Sequence, residues 1–470
     1  MHPNSKSSAL VLLTALLLGG ADTLAGGFLM YEHGATATGM ADARTALADD
    51  VNALYFNPAA ICELEGLQLE LGVTGVLPYV SYQAAKQPDP ERTYTRYASG
   101  GVVQVNDGMH DTDAKLKGFS PIHVYAAYRI PGAFVSIGFG LNNPFGLGTY
   151  WPGDWDGRFI TTESEITTFV NQPVVAVDLA GLLGFKDRLK LSLAVGYDLV
   201  YGTARMAQRI DLRIAEILPA AEPIVDPEGS MLLVGSAIGH GYNFALYAEL
   251  PGLLAFGASV RSGISLPFSG TARFSFNQAG QDALLLTNTH IPDATTGRVT
   301  VNLPWNMNFG LAFLGVDRLK LALDLYLAFF QSYDELQMKF DCLEENPPCD
   351  LKLDPIKAHW GTAWQLSLGA EYRIWRGLSL RGGYASSFSP VPADTLEPSV
   401  PDSRQDNISL GAGFRGSGWK VDLGYMLGFW SVVKDNDVGS WDPSGNPLGK
   451  ANGKYTTVAH LLALSVSAWF

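Results

Sequence analysis

Groups able to make or break covalent bonds are few in this chain and poorly spaced for it. The eight histidines are scattered without a partner pattern, and no Gly-x-Ser-x-Gly turn presents a serine nucleophile. Gly138-Phe139-Gly140 runs on into alternating sequence instead of a helix, so it forms no dinucleotide loop. Asp435-Asn436-Asp437 with Gly439 lacks the distal glutamate of a calcium loop and reads as a polar turn. The cysteines are Cys62, Cys342 and Cys349, and neither their spacing nor the histidines suit zinc. Cys342 and Cys349, close together in DCLEENPPCD, are either bridged or free, and Cys62 is left over. No metal, cofactor or catalytic residue is expected. Binding is the chemistry that remains. Its clearest sign is residues 144–159, PFGLGTYWPGDWDGRF, where Phe145, Tyr150, Trp151, Trp155 and Phe159 stand among glycines and prolines. Such rings suit an exposed groove that first meets an apolar ligand, or an aromatic girdle at a membrane interface.

The elements that must position such a site are strands. Leu191, Leu193, Val195, Tyr197, Leu199 and Tyr201 share one face of an extended segment, while Ser192, Ala194, Gly196 and Asp198 share the other. The same alternation recurs from residue 67 to the end, in runs near 67, 94, 120, 135, 170, 242, 254, 305, 319, 364, 378, 408, 419 and 462. About fourteen strands are expected. The face opposite the apolar one is rich in Gly, Ala and Ser, which suits a crowded lumen better than a water-facing sheet. With 51 glycines, 17% charged residues and a mean hydropathy just above zero, the chain reads as all-β: a transmembrane antiparallel β-barrel over residues 67–470. Lipid offers unpaired backbone groups no partner, so strands crossing it must close on themselves. Trp305, Trp364, Trp419 and Phe429-Trp430 near strand ends fit interface girdles. Short turns at 185–188 and 375–377 alternate with long polar stretches at 205–240, 268–300 and 334–362, the asymmetry expected of an outer-membrane barrel.

Residues 1–25 combine Lys6, the apolar run Leu10 to Leu18 and a small-residue site ending at Ala25, the layout of a cleaved secretory signal. Residues 26–66 hold too little periodic apolar surface to fold alone, and are expected to fold as a plug inside the barrel. A formal charge of −14 excludes nucleic acid as a partner. The final Trp469-Phe470 keeps Phe470 in phase with Leu462, Leu464 and Val466. That ending resembles the last strand that outer-membrane barrels present to their assembly machinery, which makes Phe470 the expected contact. The expected location is the outer membrane of a Gram-negative bacterium, with outer-membrane lipid around a monomer.

Four segments in order resemble the FadL/TodX family of outer-membrane transporters of long-chain fatty acids and hydrophobic hydrocarbons. These are the mature start Gly26-Gly27-Phe28, Ala48-Asp49-Asp50 followed by Asn57-Pro58-Ala59, Asn143-Pro144-Phe145-Gly146-Leu147-Gly148-Thr149, and Ser389-Pro390-Val391-Pro392 followed by Pro401-Asp402. The resemblance implies a fourteen-stranded barrel closed by an N-terminal hatch. It also implies passive uptake: capture among extracellular loops, a pocket near the mature N-terminus, and sideways exit through the wall. It gives Phe28 a ligand contact and Asn57, Pro58 and Ala59 the shaping and gating of the hatch. Arg209 and Lys357, each displaced by about one residue from the family's cations in an ungapped alignment, would meet a carboxylate, with Arg205 as the fallback. Phe145 and Trp151 complete the expected ligand set. Two other functions stay open at this point: a surface adhesin or phage receptor using the barrel without transport, and a lipid hydrolase, which the missing catalytic constellation disfavours.

Overall fold

The computed structural model describes residues 27–30, 33–85, 93–98, 101–106, 110–212, 227–344, 348–349, 355–436, 438, 440–441, 447–448 and 451–470. The expected signal at 1–25 lies outside them. Fourteen antiparallel strands close into one barrel. In chain order they are β1 (Leu67–Ala84), β2 (Ile122–Arg129), β3 (Val135–Asn142), β4 (Glu163–Asp178), β5 (Lys190–Asp211), β6 (Glu228–Leu250), and β7 (Leu254–Arg261, then Ile264–Phe276). The second half comprises β8 (Ala294–Leu303, then Trp305–Val316), β9 (Leu319–Phe329), β10 (Thr362–Trp375), β11 (Leu378–Phe388), β12 (Gln405–Arg415), β13 (Trp419–Lys434) and β14 (Gly453–Trp469). Closure comes from β1 on β14, in register from Gln68 opposite Trp469 to Ala84 opposite Gly453. Pro304 interrupts β8, where a missing donor leaves a gap in the ladder.

Period two decides which residues meet lipid. Leu71, Val73, Leu193, Val195, Leu366, Leu368, Leu410, Leu462 and Leu464 point outward and are exposed, while Glu70, Asn243, Asp324, Gln365 and Ser465 point inward and are buried. Large apolar chains outside and polar chains inside is the reverse of a soluble protein, and it suits a wall solvated by acyl chains.

Two expectations about strands change. The run near 94 is not in the wall. Residues Thr93–Ala98 and Gly101–Asn106 pair only with each other, a hairpin in the connection between β1 and β2. The long stretch expected at 205–240 is largely strand, because β5 and β6 pair from Lys190 opposite Glu249 out to Asp211 opposite Glu228. Beyond Arg205 the outward face carries Ala207 and Arg209 where Leu199 and Tyr201 stood, so the apolar alternation that marks a membrane strand fades although pairing continues. The stretch at 268–300 shrinks likewise, since β7 extends to Phe276 and β8 begins at Ala294, with the capped helix Gln278–Thr287 between them.

Residues 33–66 lie inside the barrel. Their short helical turns, Ala35–Thr38, Ala53–Phe56 and Pro58–Glu63, are buried almost throughout. Ala35 N–H donates to Ser465 Oγ at 3.0 Å, Arg44 N–H to Asp324 Oδ2 at 2.8 Å, and Ser259 Oγ to Phe56 O at 2.8 Å. A wall glycine makes one of these approaches possible: a Cβ on Gly369 would stand 2.7 Å from Met40 O. Cys342 and Cys349 are bridged, and Cys62 is free and buried.

Candidate functional site

The site begins where β3 leaves the wall. Register between β2 and β3 ends at Val124 opposite Leu141. Asn143-Pro144-Phe145 then turns the chain inward. Asn143 holds the bend from both sides, accepting from Ile122 N–H at 3.0 Å and donating to Thr168 O at 2.6 Å. Phe145 N–H donates to Thr168 Oγ1 at 3.2 Å, and that hydroxyl returns its proton to Phe145 O at 2.8 Å. Pro144 lacks a donor, which releases the strand from its neighbour. The displaced segment pairs with the N-terminal tail instead: Met30 N–H donates to Pro144 O at 2.9 Å and Gly146 N–H to Phe28 O at 3.0 Å. β3 resumes at Gly146–Tyr150, paired to β4.

The bend opens a cavity of about 430 Å³. Its inner wall is Val76, Pro78, Val80, Ala459, Leu461 and Trp430, and its floor includes Gly27, Leu29 and Met30. Ile166 of β4 lines it from the lumen side, yet Thr167 and Phe169, which project from the opposite face of the same strand, line it too. The cavity therefore passes through the wall between β2 and the bent β3. Phe119 stands in this passage, and its ring occupies the place a Cβ on Gly148 would take. Asn143, Gln365, Gln405, Asn407 and Asp402 supply polar atoms, and among the described residues no Arg or Lys lines it. Asp402 accepts from Gly27 N–H at 2.6 Å and from Ser403 N–H at 2.9 Å. Burial pushes its carboxyl up to about 8.

Phe28 is buried in an aromatic cage: ring centroids lie 6.2 Å to Phe145, 5.2 Å to Phe330, 5.5 Å to Tyr333 and 5.6 Å to Trp360. Phe145 lines the cavity just described, whereas Tyr333 and Trp360 line a second, of about 70 Å³. Leu147, Ile166 and Val400 line both cavities, and Phe28 packs between Phe145 of the one and Tyr333 and Trp360 of the other. The smaller cavity is walled by Met231, Val299, Val301 and Leu336, and contains Lys357, Glu163 and Glu397. Burial pushes the Glu397 carboxyl up to about 7.

The two expected cations part company. Lys357 reaches the smaller cavity, but Arg209 does not line either one. Arg209 is on the strand face opposite Met206 and Gln208. Its N–H donates to Arg158 O at 2.8 Å and its Nε to Gly153 O at 3.3 Å. Arg205 shares that outer face and donates to Glu163 Oε1 at 2.6 Å. Period two makes a one-residue displacement decisive, because Gln208 occupies the inward position beside Arg209.

Neither an exposed groove nor an interfacial girdle describes residues 144–159. Phe145, Tyr150, Trp151, Trp155 and Phe159 are all buried. Trp151 and Trp155 stack at 4.3 Å, Trp151 packs edge-on to Tyr82 and Tyr455, and its Nε1 donates to Pro398 O at 3.1 Å. Glycine and proline fold this segment back onto the barrel, so its rings lie among the strand ends. Of the five, Phe145 alone lines the larger cavity.

Asn57, Pro58 and Ala59 lie at the opposite side of the plug from Phe28. Asn57 Nδ2 donates to Thr45 O at 2.9 Å and to Leu246 O of β6 at 3.0 Å, and its Oδ1 accepts from Ala59 N–H at 3.2 Å. Pro58 opens the following turn, where no donor is needed. Nearby, a charge network ties plug to wall. Arg44 pairs with Asp49 and, at 3.0 Å, with Asp50. Asp49 also meets Lys320, and Asp50 meets Lys420 at 3.1 Å. Burial alone would raise the Asp50 carboxyl, but Arg44 and Lys420 hold it below the usual carboxylate range.

One contact resembles hydrolase chemistry and lacks its geometry. His123 Nε2 is 3.1 Å from Glu70 Oε1 and 3.2 Å from Ser465 Oγ. A relay needs the acid on one ring nitrogen and the hydroxyl on the other. Here both use Nε2, and Ser465 Oγ accepts from the plug.

Several lining residues escaped the sequence: Phe119, Gln365, Gln405 and Asn407 in the larger cavity, Tyr333, Trp360 and Glu397 in the smaller. Asn143-Pro144 carried the best available signal, since a proline inside a strand pattern marks a break in its ladder.

A family model for outer membrane protein transport proteins (OMPP1/FadL/TodX) matches residues 16–470. A putative outer membrane protein of Neisseria meningitidis is 24% identical over 97% of this chain and 98% of its own. A long-chain fatty acid transport protein of Salmonella typhi is 25% identical over 87% of this chain and 89% of its own. Among solved structures, a Pseudomonas aeruginosa FadL homologue superposes with a TM-score of 0.77 at 17% identity, covering 95% of this chain and all (100%) of that one. The Pseudomonas putida toluene transporter TodX gives 0.66 at 15% identity, covering 94% and 99%. The chain belongs to the OMPP1/FadL/TodX family of outer-membrane transporters of hydrophobic substrates.

Proposed function

We propose that this barrel takes up hydrophobic molecules passively, that residues 26–66 act as its hatch, and that cargo leaves sideways between β2 and the bent β3. Cargo is gathered among the long connections, enters the apolar upper lumen, passes Phe28 and moves past Phe119 into the membrane. The observation carrying this reading is the larger cavity, which is lined by residues from both faces of β4. An acyl or aryl chain gains about 0.8 kcal/mol for each methylene removed from water, and a sideways exit never returns it to water. The unit that does this is a monomer in outer-membrane lipid.

The lining favours neutral cargo. Relatives are named for long-chain fatty acids and for toluene. Among the described residues no cation lines the larger cavity, and the smaller one holds Lys357 together with two carboxylates, Glu397 and Glu163. An ionised carboxylate would find no compensating charge on its way out, whereas a hydrocarbon or a protonated acid needs none.

Uptake of a labelled alkylbenzene and a labelled fatty acid by cells with and without the protein tests this. The protein is expected to accelerate the alkylbenzene at any pH and the acid increasingly as pH falls. Equal uptake of both compounds with and without it would end the proposal. Acid uptake that stays constant as the acid ionises would overturn the neutral-cargo reading alone.

A further inference from the structure

The largest cavity described above does not hold the greatest charge. A third cavity, about 540 Å³, opens at the short-turn end of the barrel, between the turns of β8–β9, β10–β11 and β12–β13. Its lining contains six cationic side chains, Arg318, Lys320, Arg373, Arg381, Arg415 and Lys420, against three carboxylates, Asp49, Asp317 and Glu371. Three of the cations are already neutralised. Lys320 meets Asp49 and Glu371, Arg381 meets Glu371 and Asp422, and Lys420 meets Asp50 and Asp422.

The other three are undercompensated. Arg318 and Arg373 share Asp317, at 3.3 and 3.6 Å, a carboxylate whose side chain is 80% exposed and so screened by water. Arg415 stacks on the Trp469 ring at 4.3 Å, and among the described residues no carboxylate pairs with it. Register brings them together: Arg373 is opposite Ser379, Ser379 opposite Gly413, and Arg415 lies two residues beyond Gly413 on the same inward face. Two strand spacings amount to roughly 10 Å, which two guanidinium stems can span from either side.

We propose that this mouth binds a phosphate group, with Arg373 and Arg415 as its forks, Arg318 beside them and Ser379 between. Guanidinium forks match an oxyanion bidentately. The lining exceeds its carboxylates by more than one charge, so a phosphate monoester near −2 balances it better than a single carboxylate or a phosphodiester headgroup near −1. The cavity has room for the organic part of a phosphate monoester or for a phospholipid headgroup. Both share the phosphoryl oxyanion, and the test separates them. The proposal is independent of the transport reading, because the site lies below the plug and faces the short turns.

The purified full chain in phosphatidylcholine nanodiscs is titrated with inorganic phosphate and with glycerol phosphate, followed by calorimetry. Saturable binding is expected, weakened at least about tenfold in Arg373→Gln/Arg415→Gln. Arg188→Gln, an exposed charge loss at another short turn, should leave binding unchanged; Arg373→Gln alone gives a milder loss if the double variant assembles poorly. In nanodiscs containing phosphatidylglycerol, weakened phosphate binding identifies the headgroup as occupant, and unchanged binding identifies the soluble ester. Absence of saturable binding, or equal loss in Arg188→Gln, overturns the site.

Discussion

The two halves of the lumen put their inward positions to opposite uses. Toward the short turns, Glu371, Arg381, Asp422 and the plug's Arg44, Asp49 and Asp50 fill the barrel with paired charge. Toward the long connections, Met231, Val299, Val301 and Leu336 line space that is left partly empty. A buried ion pair contributes little net stability compared with apolar packing, but it is very costly to break one-sidedly. The lower half is thus closed by contacts that fail all together, and the upper half by contacts that apolar cargo can replace one for one. That difference supports a route that enters from above and turns aside before the charged half.

The sharpest way to break the comparison is to remove the shared cation. Arg44→Ala leaves Asp49 and Asp50 leaning on Lys320 and Lys420 alone, at a cost of about 3–5 kcal/mol for a half-broken buried network. The wall's own ladders are untouched, so unboiled protein should still migrate as a folded barrel. Ion conductance across a planar bilayer should rise clearly above wild type. Unchanged conductance would mean that the charged half does not close the axis.

A smaller loss is expected from the plug's tie to β6. Asn57→Ala deletes donors to Thr45 O and Leu246 O and an acceptor for Ala59 N–H, worth about 1–3 kcal/mol for buried partners left unmade. Conductance should rise less than in Arg44→Ala. Pro58→Ala removes no hydrogen bond and should change stability by about 0.4–1 kcal/mol through backbone entropy. Uptake should respond to it more than assembly does; a Pro58 variant that fails to assemble contradicts a gating role.

The same contrast explains what could be read from the chain. Wall strands are legible because lipid on one side and lumen on the other impose a strict period of two, and the runs at 191–201 and 319–327 carry it undiluted. Legibility fails where that contrast lapses. Past Arg205 the outward face loses its Leu and Tyr to Ala207 and Arg209, and the adjacent polar residues Gln208 and Arg209 give no sign of which one points inward. The site was harder still. Phe28 comes from the family resemblance and Phe145 from the aromatic run that follows Pro144. Tyr333 and Trp360 come from a connection with no periodicity, and only folding brings them 5.5 and 5.6 Å from Phe28. The buried rings of residues 144–159 looked like surface because Gly and Pro mark loops, yet loops in a barrel also fold inward.

The smallest effect concerns Asp402, the carboxyl that lines the larger cavity. Asp402 carries the Gly27 amide, and among the described residues no cation pairs with it. Its undocked form titrates near 3.8, while burial holds the docked form near 8. The docked state therefore binds the proton more tightly. Docking of the tail is strongest below the lower value and weakens as pH rises through the upper one. Ionised, the carboxylate would also place uncompensated charge beside apolar cargo. Affinity for a neutral alkylbenzene, measured at about pH 6 and about pH 9, should fall in the wild type and stay level in Asp402→Asn. A wild-type affinity that is flat across the same window would separate Asp402 from cargo binding and leave the upper half's selectivity to shape alone.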